Sequence, residues 1–128
     1  MTFATARVRR STALLLAAGL LAGLLGAGGA GAATSTTTYT VNTALDSADG
    51  ACTATNCSLR EAILAANRRF GSSDVVKFKI PGALPATIHL GTSLPPVRDP
   101  VRIDGTTQPG YAGSPVIVVD GAGLGTAA

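Results

Sequence analysis

The chain has 128 residues, a formal net charge of +3, two cysteines, one histidine and no tryptophan. The basic balance does not argue for a nucleic-acid surface: Arg7, Arg9 and Arg10 account for all of it, and the seven remaining Lys and Arg match seven Asp and Glu. Sixteen Gly and seven Pro, with apolar side chains mainly Val, Ile, Leu and Ala, suit β structure with many turns and allow one small domain at most.

Residues 1–32 read as a secretion signal. The arginines form a basic n-region, Ala13 to Ala27 is an apolar run, and Ala30-Gly31-Ala32 is a small-x-small cleavage site. The alternative is an uncleaved anchor, since about twenty residues from Ala13 onward could span a bilayer. The later part of that run is rich in Gly and Ala, and no basic stop-transfer cluster follows. Arg9-Arg10 lacks the continuation of a twin-arginine signal, so the general secretory route is expected. The mature chain then starts near Ala33 and leaves the membrane behind.

Residues 33–38 are a Thr-rich leader, either a plain flexible segment or an O-glycosylated spacer. Thr38 to Asn42 alternates polar and apolar, which predicts a first strand with Tyr39 and Val41 on one face. Asp46 to Gly50 is a turn-rich loop leading to Cys52. Ser58 and Glu61 then form a Ser-x-x-Glu capping box. Leu59, Ala62, Ile63 and Ala66 share one face of the helix that follows. The spacing predicts a helix over about Leu59 to Arg69, with Arg68 and Arg69 in its last turn and Gly71 as its stop.

After Gly71 the period drops to two. Val76, Phe78 and Ile80 face one way, and Lys77 and Lys79 the other. Ala86 to Leu90 repeats this, with Ile88 and Leu90 inward and His89 outward. Val101 to Ile103 and Val116 to Val119 are two more strands, the last apolar on both faces as if buried on both. Pro100-Val-Arg-Ile-Asp104-Gly105 is echoed by Pro115-Val-Ile-Val-Val-Asp120-Gly121. The offset between the two Asp is shorter than most solenoid rungs, so a hairpin-like or a partial-rung relation fits.

Cys52 and Cys57 enclose four residues, and in an exported chain such a pair favours a disulfide. Zinc would need further ligands, and the one His, His89, lies on a distant strand. A redox pair usually has two residues between its cysteines.

The run Cys57-Ser-Leu-Arg-Glu-Ala-Ile63 resembles the motif of an N-terminal domain family named for its C-S-L-R-E-A sequence. Tyr39-Thr-Val-Asn42, Ala65-Ala66-Asn67, Asp104-Gly-Thr-Thr-Gln-Pro-Gly-Tyr111 and Pro115 to Gly121 extend the resemblance over most of residues 39–121. Members are secreted or surface bacterial proteins in which the domain heads a right-handed parallel β-helix. The resemblance implies a mainly β chain: a pectate-lyase-like β-helix whose first coils follow an amphipathic capping helix. It implies no single activity. Members usually continue well beyond this length, so a truncated piece is expected.

Candidate chemistry is sparse. Asp104 and Asp120, each before Gly, could bind calcium or sugar. Their ordinary reading is turn aspartates bonding their own backbone before a left-handed Gly. Asp46 and Asp49 could also touch calcium. His89 has no evident carboxylate partner, and Arg60 reads as a surface or capping residue that could pair with a loop aspartate. No catalytic set, metal motif or cofactor site emerges. The expected organisation is signal 1–32, leader 33–38, cap 39–71 with the Cys52–Cys57 loop and the Ser58/Glu61 helix, and incomplete β-helix coils over 72–128. The expected function is a non-enzymatic capping module of a secreted or surface protein. The alternatives are the front end of a polysaccharide-active β-helix lyase or hydrolase and a self-contained binding domain. In the enzyme case, an extracellular glycan would be met by coils beyond Ala128.

Overall fold

A computed structural model describes residues 35–125. The expected secretion signal, residues 1–32, and its cleavage site lie outside the described residues. Within them run β1 (Thr38–Val41), α1 (Leu59–Ala66), β2 (Asp74–Phe78), β3 (Ala86–His89), β4 (Val101–Asp104), a 3₁₀ turn (Gly105–Thr107) and β5 (Ile117–Asp120). Every described strand pairing is parallel. One sheet has the order β1-β2-β4, the other pairs β3 with β5. Parallel neighbours need a crossover between them, and here α1 and the loops supply it.

The registers turn sequence alternation into stacks. Tyr39, Val76 and Ile103 occupy matching positions across the first sheet, and Ile88 pairs with Val119 in the second. The two passes β2–β3 and β4–β5 repeat each other at 27 residues on one sheet, Asp74 to Val101, and 31 on the other, Ala86 to Ile117. Asp104 and Asp120 therefore end strands of different sheets within one pass. The hairpin reading of their echo is overturned, since β4 and β5 lie in different sheets and do not pair.

The core is built around Val41, Leu59, Ala62, Ile63, Val76, Phe78, Ile80, Ala86 and Ile88. α1 lays Leu59, Ala62, Ile63 and Ala66 on this core and contacts β1 and β2. Burial of Leu59 and Ile63 together contributes about 5 kcal/mol. The helix is shorter than its periodicity suggests, because Asn67 caps it. Arg68 and Arg69 continue in looser turns, each donating its N–H to the carbonyl three residues back. Gly71 follows at φ +80, a conformation that favours glycine.

The expectation that Val116 to Val119 is buried on both faces is wrong. Val118 is 41 % and Val119 45 % exposed. Val119 shares its side of the sheet with Ile88, which is 0 % exposed. Among the described residues β5 pairs only with β3, so the far side of its inward face is open.

Candidate functional site

The Cys52–Cys57 disulfide is formed, with Cα atoms 4.1 Å apart. It closes a loop that Asn42, at the end of β1, grips from the other side. The Asn42 amide donates to Ala54 O at 2.9 Å, its carbonyl accepts from Cys57 N–H at 2.9 Å, and its backbone N–H donates to Cys57 O at 3.0 Å. The chain thus enters α1 in a fixed direction. Ser58 Oγ accepts from Glu61 N–H at 3.1 Å, and a Glu61 carboxylate oxygen accepts from Ser58 N–H at 2.9 Å. Its other oxygen accepts from Asp49 N–H, and Ser58 Oγ donates to Ser47 O. Glu61 is 1 % exposed; those N–H donors and the dipole of the helix N-terminus are what make its burial tolerable.

Arg60 is the strongest clamp. Its Nε and Nη2 donate to the two carboxylate oxygens of Asp46, each at 2.8 Å. Its remaining donors reach Thr92 O at 2.7 Å and Ser93 O at 2.8 Å. The planar guanidinium suits this arrangement, in which one side chain ties helix, Asp46 loop and the 92–93 segment together. The Arg60 hydrogen bond holds the Asp46 carboxyl below the usual range; burial opposes this, and the Gly91 N–H adds to it. With Asp46 committed to Arg60 and Gly91, and Asp49 accepting from the Asn56 amide, neither stands as a calcium ligand.

Asp104 and Asp120 are turn aspartates. Asp104 accepts from Thr106 N–H at 3.2 Å and Thr106 Oγ1 at 2.6 Å, and pairs with Arg102 at 2.8 Å. Asp120 accepts from Ala122 N–H at 2.9 Å. Both carboxyls are held low, Asp104 chiefly by the Thr106 hydroxyl and Asp120 chiefly by the Ala122 N–H. The following glycines are not left-handed; Gly105 opens the 3₁₀ turn instead. His89 does have a carboxylate partner: register places it beside Asp120, and Nδ1 lies 2.9 Å from Oδ2. His89, Asp104 and Asp120 stand outside the hollows lined by Leu64 and Phe70, by Tyr111 and Val116, and by Tyr39 and Cys52. Among the described residues no three His, Cys, Asp or Glu gather as a metal site.

Sequence reasoning missed two amide side chains. Gln108, 3 % exposed, accepts from Ile80 N–H at 2.9 Å and donates to Ile80 O at 2.7 Å. Beside it Thr107 Oγ1 accepts from Phe78 N–H at 2.8 Å. These side chains continue the β2–β4 ladder after β4 has ended. Gly110 completes the turn at φ +91, and a Cβ there would collide with Leu84. Asn67 likewise donates to Pro96 O at 2.9 Å and accepts from Arg98 N–H at 2.8 Å. A long-range amide bond of this kind leaves no local pattern; only the unusual Thr-Thr-Gln-Pro-Gly run was a signal.

These residues make a scaffold: a braced helix packed on β1 and β2, with Ile103 on β4 and Val119 on β5 left nearly half exposed. No described helix is long and apolar enough to cross a membrane, and the disulfide is compatible with an extracellular location. Comparison with protein-family models, curated proteins and solved structures gave no match to this chain.

Proposed function

We propose that this chain is the N-terminal cap and first coils of a secreted or surface right-handed parallel β-helix protein, with a structural rather than catalytic role. The observation that carries this reading is the unequal burial of register partners. Val76 is 0 % exposed and its partner Ile103 47 %; Ile88 is 0 % and its partner Val119 45 %. Side chains that point inward on β2 and β3 are covered, whereas those on β4 and β5 offer the surface that a further coil would cover. α1 occupies the opposite end, where it hides apolar side chains and keeps the first strands from pairing with another chain. The resemblance of Cys57 to Ile63 and of Asp104 to Tyr111 to the C-S-L-R-E-A family supports the same role, with its bacterial, extracellular setting.

The test is the solution behaviour of the exported chain. An open apolar strand edge invites association. Size-exclusion chromatography should show self-association that Ile103→Lys with Val119→Lys relieves. A monodisperse wild-type monomer with a cooperative melt well above room temperature would overturn the reading.

A further inference from the structure

We propose that the hollow beside the C-terminal end of α1 binds acidic, uronate-type polysaccharide. The hollow measures about 310 Å³, with Leu64, Phe70, Pro95 and Pro96 among its walls and Arg68 and Arg98 on its lining. Among the described residues no acidic side chain lines it. Arg60 and Arg102 are taken by Asp46 and Asp104, but among the described residues no side-chain hydrogen bond or ion pair engages the guanidinium of Arg68 or Arg98. Asp99, next in sequence to Arg98, accepts from the backbone N–H of Gly71 and Ser72. The Asn67 amide pins the backbone of the Pro96–Arg98 segment to the helix end, which holds the two arginines' backbones beside one hollow. Phe70 is 78 % exposed, the most exposed of the large apolar side chains among the described residues.

The chemistry selects the ligand. Two free guanidiniums favour carboxylates, which they can meet in paired hydrogen bonds. The negative face of Phe70 accepts the C–H face of a sugar ring. A peptide would look for backbone partners, yet Pro95 and Pro96 have no N–H, and the Arg98 N–H and the Asn67 amide are already bonded. A uronate chain needs none: it offers a carboxylate on each ring and an apolar ring face beside it. The site joins the end of α1 to residues 95–98 and does not depend on further coils.

The experiment is isothermal titration of the exported chain with galacturonate oligomers, with neutral glucan oligomers and poly-glutamate as comparison probes. Galacturonate oligomers should bind and weaken with added salt. Arg98→Gln and Phe70→Ala should each weaken binding about tenfold, with unchanged thermal melting because both residues lie on the surface. Arg68→Gln with Arg98→Gln should abolish it. No binding of the galacturonate probe, or binding that these variants leave unchanged, overturns the proposal. Tighter binding of poly-glutamate that survives Phe70→Ala would assign the hollow to acidic peptides instead.

Discussion

Val76 and Ile103 hold matching places on neighbouring parallel strands, and Ile88 and Val119 do the same on the other sheet. The first of each pair is sealed, while the second is nearly half exposed. Their local sequences alternate alike. What separates them is packing: Val76 and Ile88 sit in the core cluster that α1 joins, whereas Ile103 and Val119 lie outside it, although β3, like β4 and β5, has a single described strand neighbour. Burial here is conferred by what packs against a strand, not by the strand's own residue pattern.

Truncating both members of one pair would break this comparison most directly. Ile88→Ala should cost about 3 kcal/mol, because a sealed site cannot fully collapse around the cavity. Val119→Ala should cost about 1 kcal/mol or less, since half its surface already meets water. Equal shifts in the urea midpoint would refute the unequal ends. Gln108→Ala comes next, at about 2 kcal/mol, because it leaves a buried N–H and C=O of Ile80 without partners. Amide hydrogen exchange should then speed up at Ile80 while α1 stays protected. Ser58→Ala should cost about 1 kcal/mol through loss of the N-cap, and an unchanged midpoint would deny the capping box a part in holding the covered end.

Acid should act on the covered end through Asp46. Its folded pKa lies below the unfolded value of about 3.9. The stability it supplies is therefore complete above that value and lost as pH falls through the folded one. Asp46→Asn should lower the urea midpoint at neutral pH and flatten its decline below about pH 4. Asp104→Asn and Asp120→Asn should change that decline less, because their partners Arg102 and His89 are open to water, at 73 % and 75 % exposed. A steeper effect from either would move the acid-sensitive contact to the open end.

Much of the covered end was legible in sequence because its determinants are local. Ser58 and Glu61 are three residues apart, and Leu59, Ala62, Ile63 and Ala66 repeat at helical spacing. The inward faces of β2 and β3 followed from strict alternation. What escaped was set at long range. Helix α1 stops at Ala66 because Asn67 bonds residues 29 and 31 positions away. His89 meets Asp120 because of a register fixed by loop lengths. Val118 and Val119 looked buried because hydrophobicity marks the capacity for burial, while coverage depends on what lies alongside. The Arg60 clamp was half legible: an aspartate partner could be guessed, the Thr92 and Ser93 carbonyls could not.

The Gln108 amide also works as a proofreading device for alignment. It reads one peptide unit by giving one hydrogen bond to Ile80 and taking another from it. If the second pass slipped forward by one residue, the amide would face Pro81, which has no N–H to give. If it slipped back, it would meet Lys79, whose N–H is already spent on Val41 O on the opposite side. Either error strands a buried amide at a cost of about 1–3 kcal/mol. A chain threaded out of register between β2 and β4 is thus penalised at the turn that follows β4.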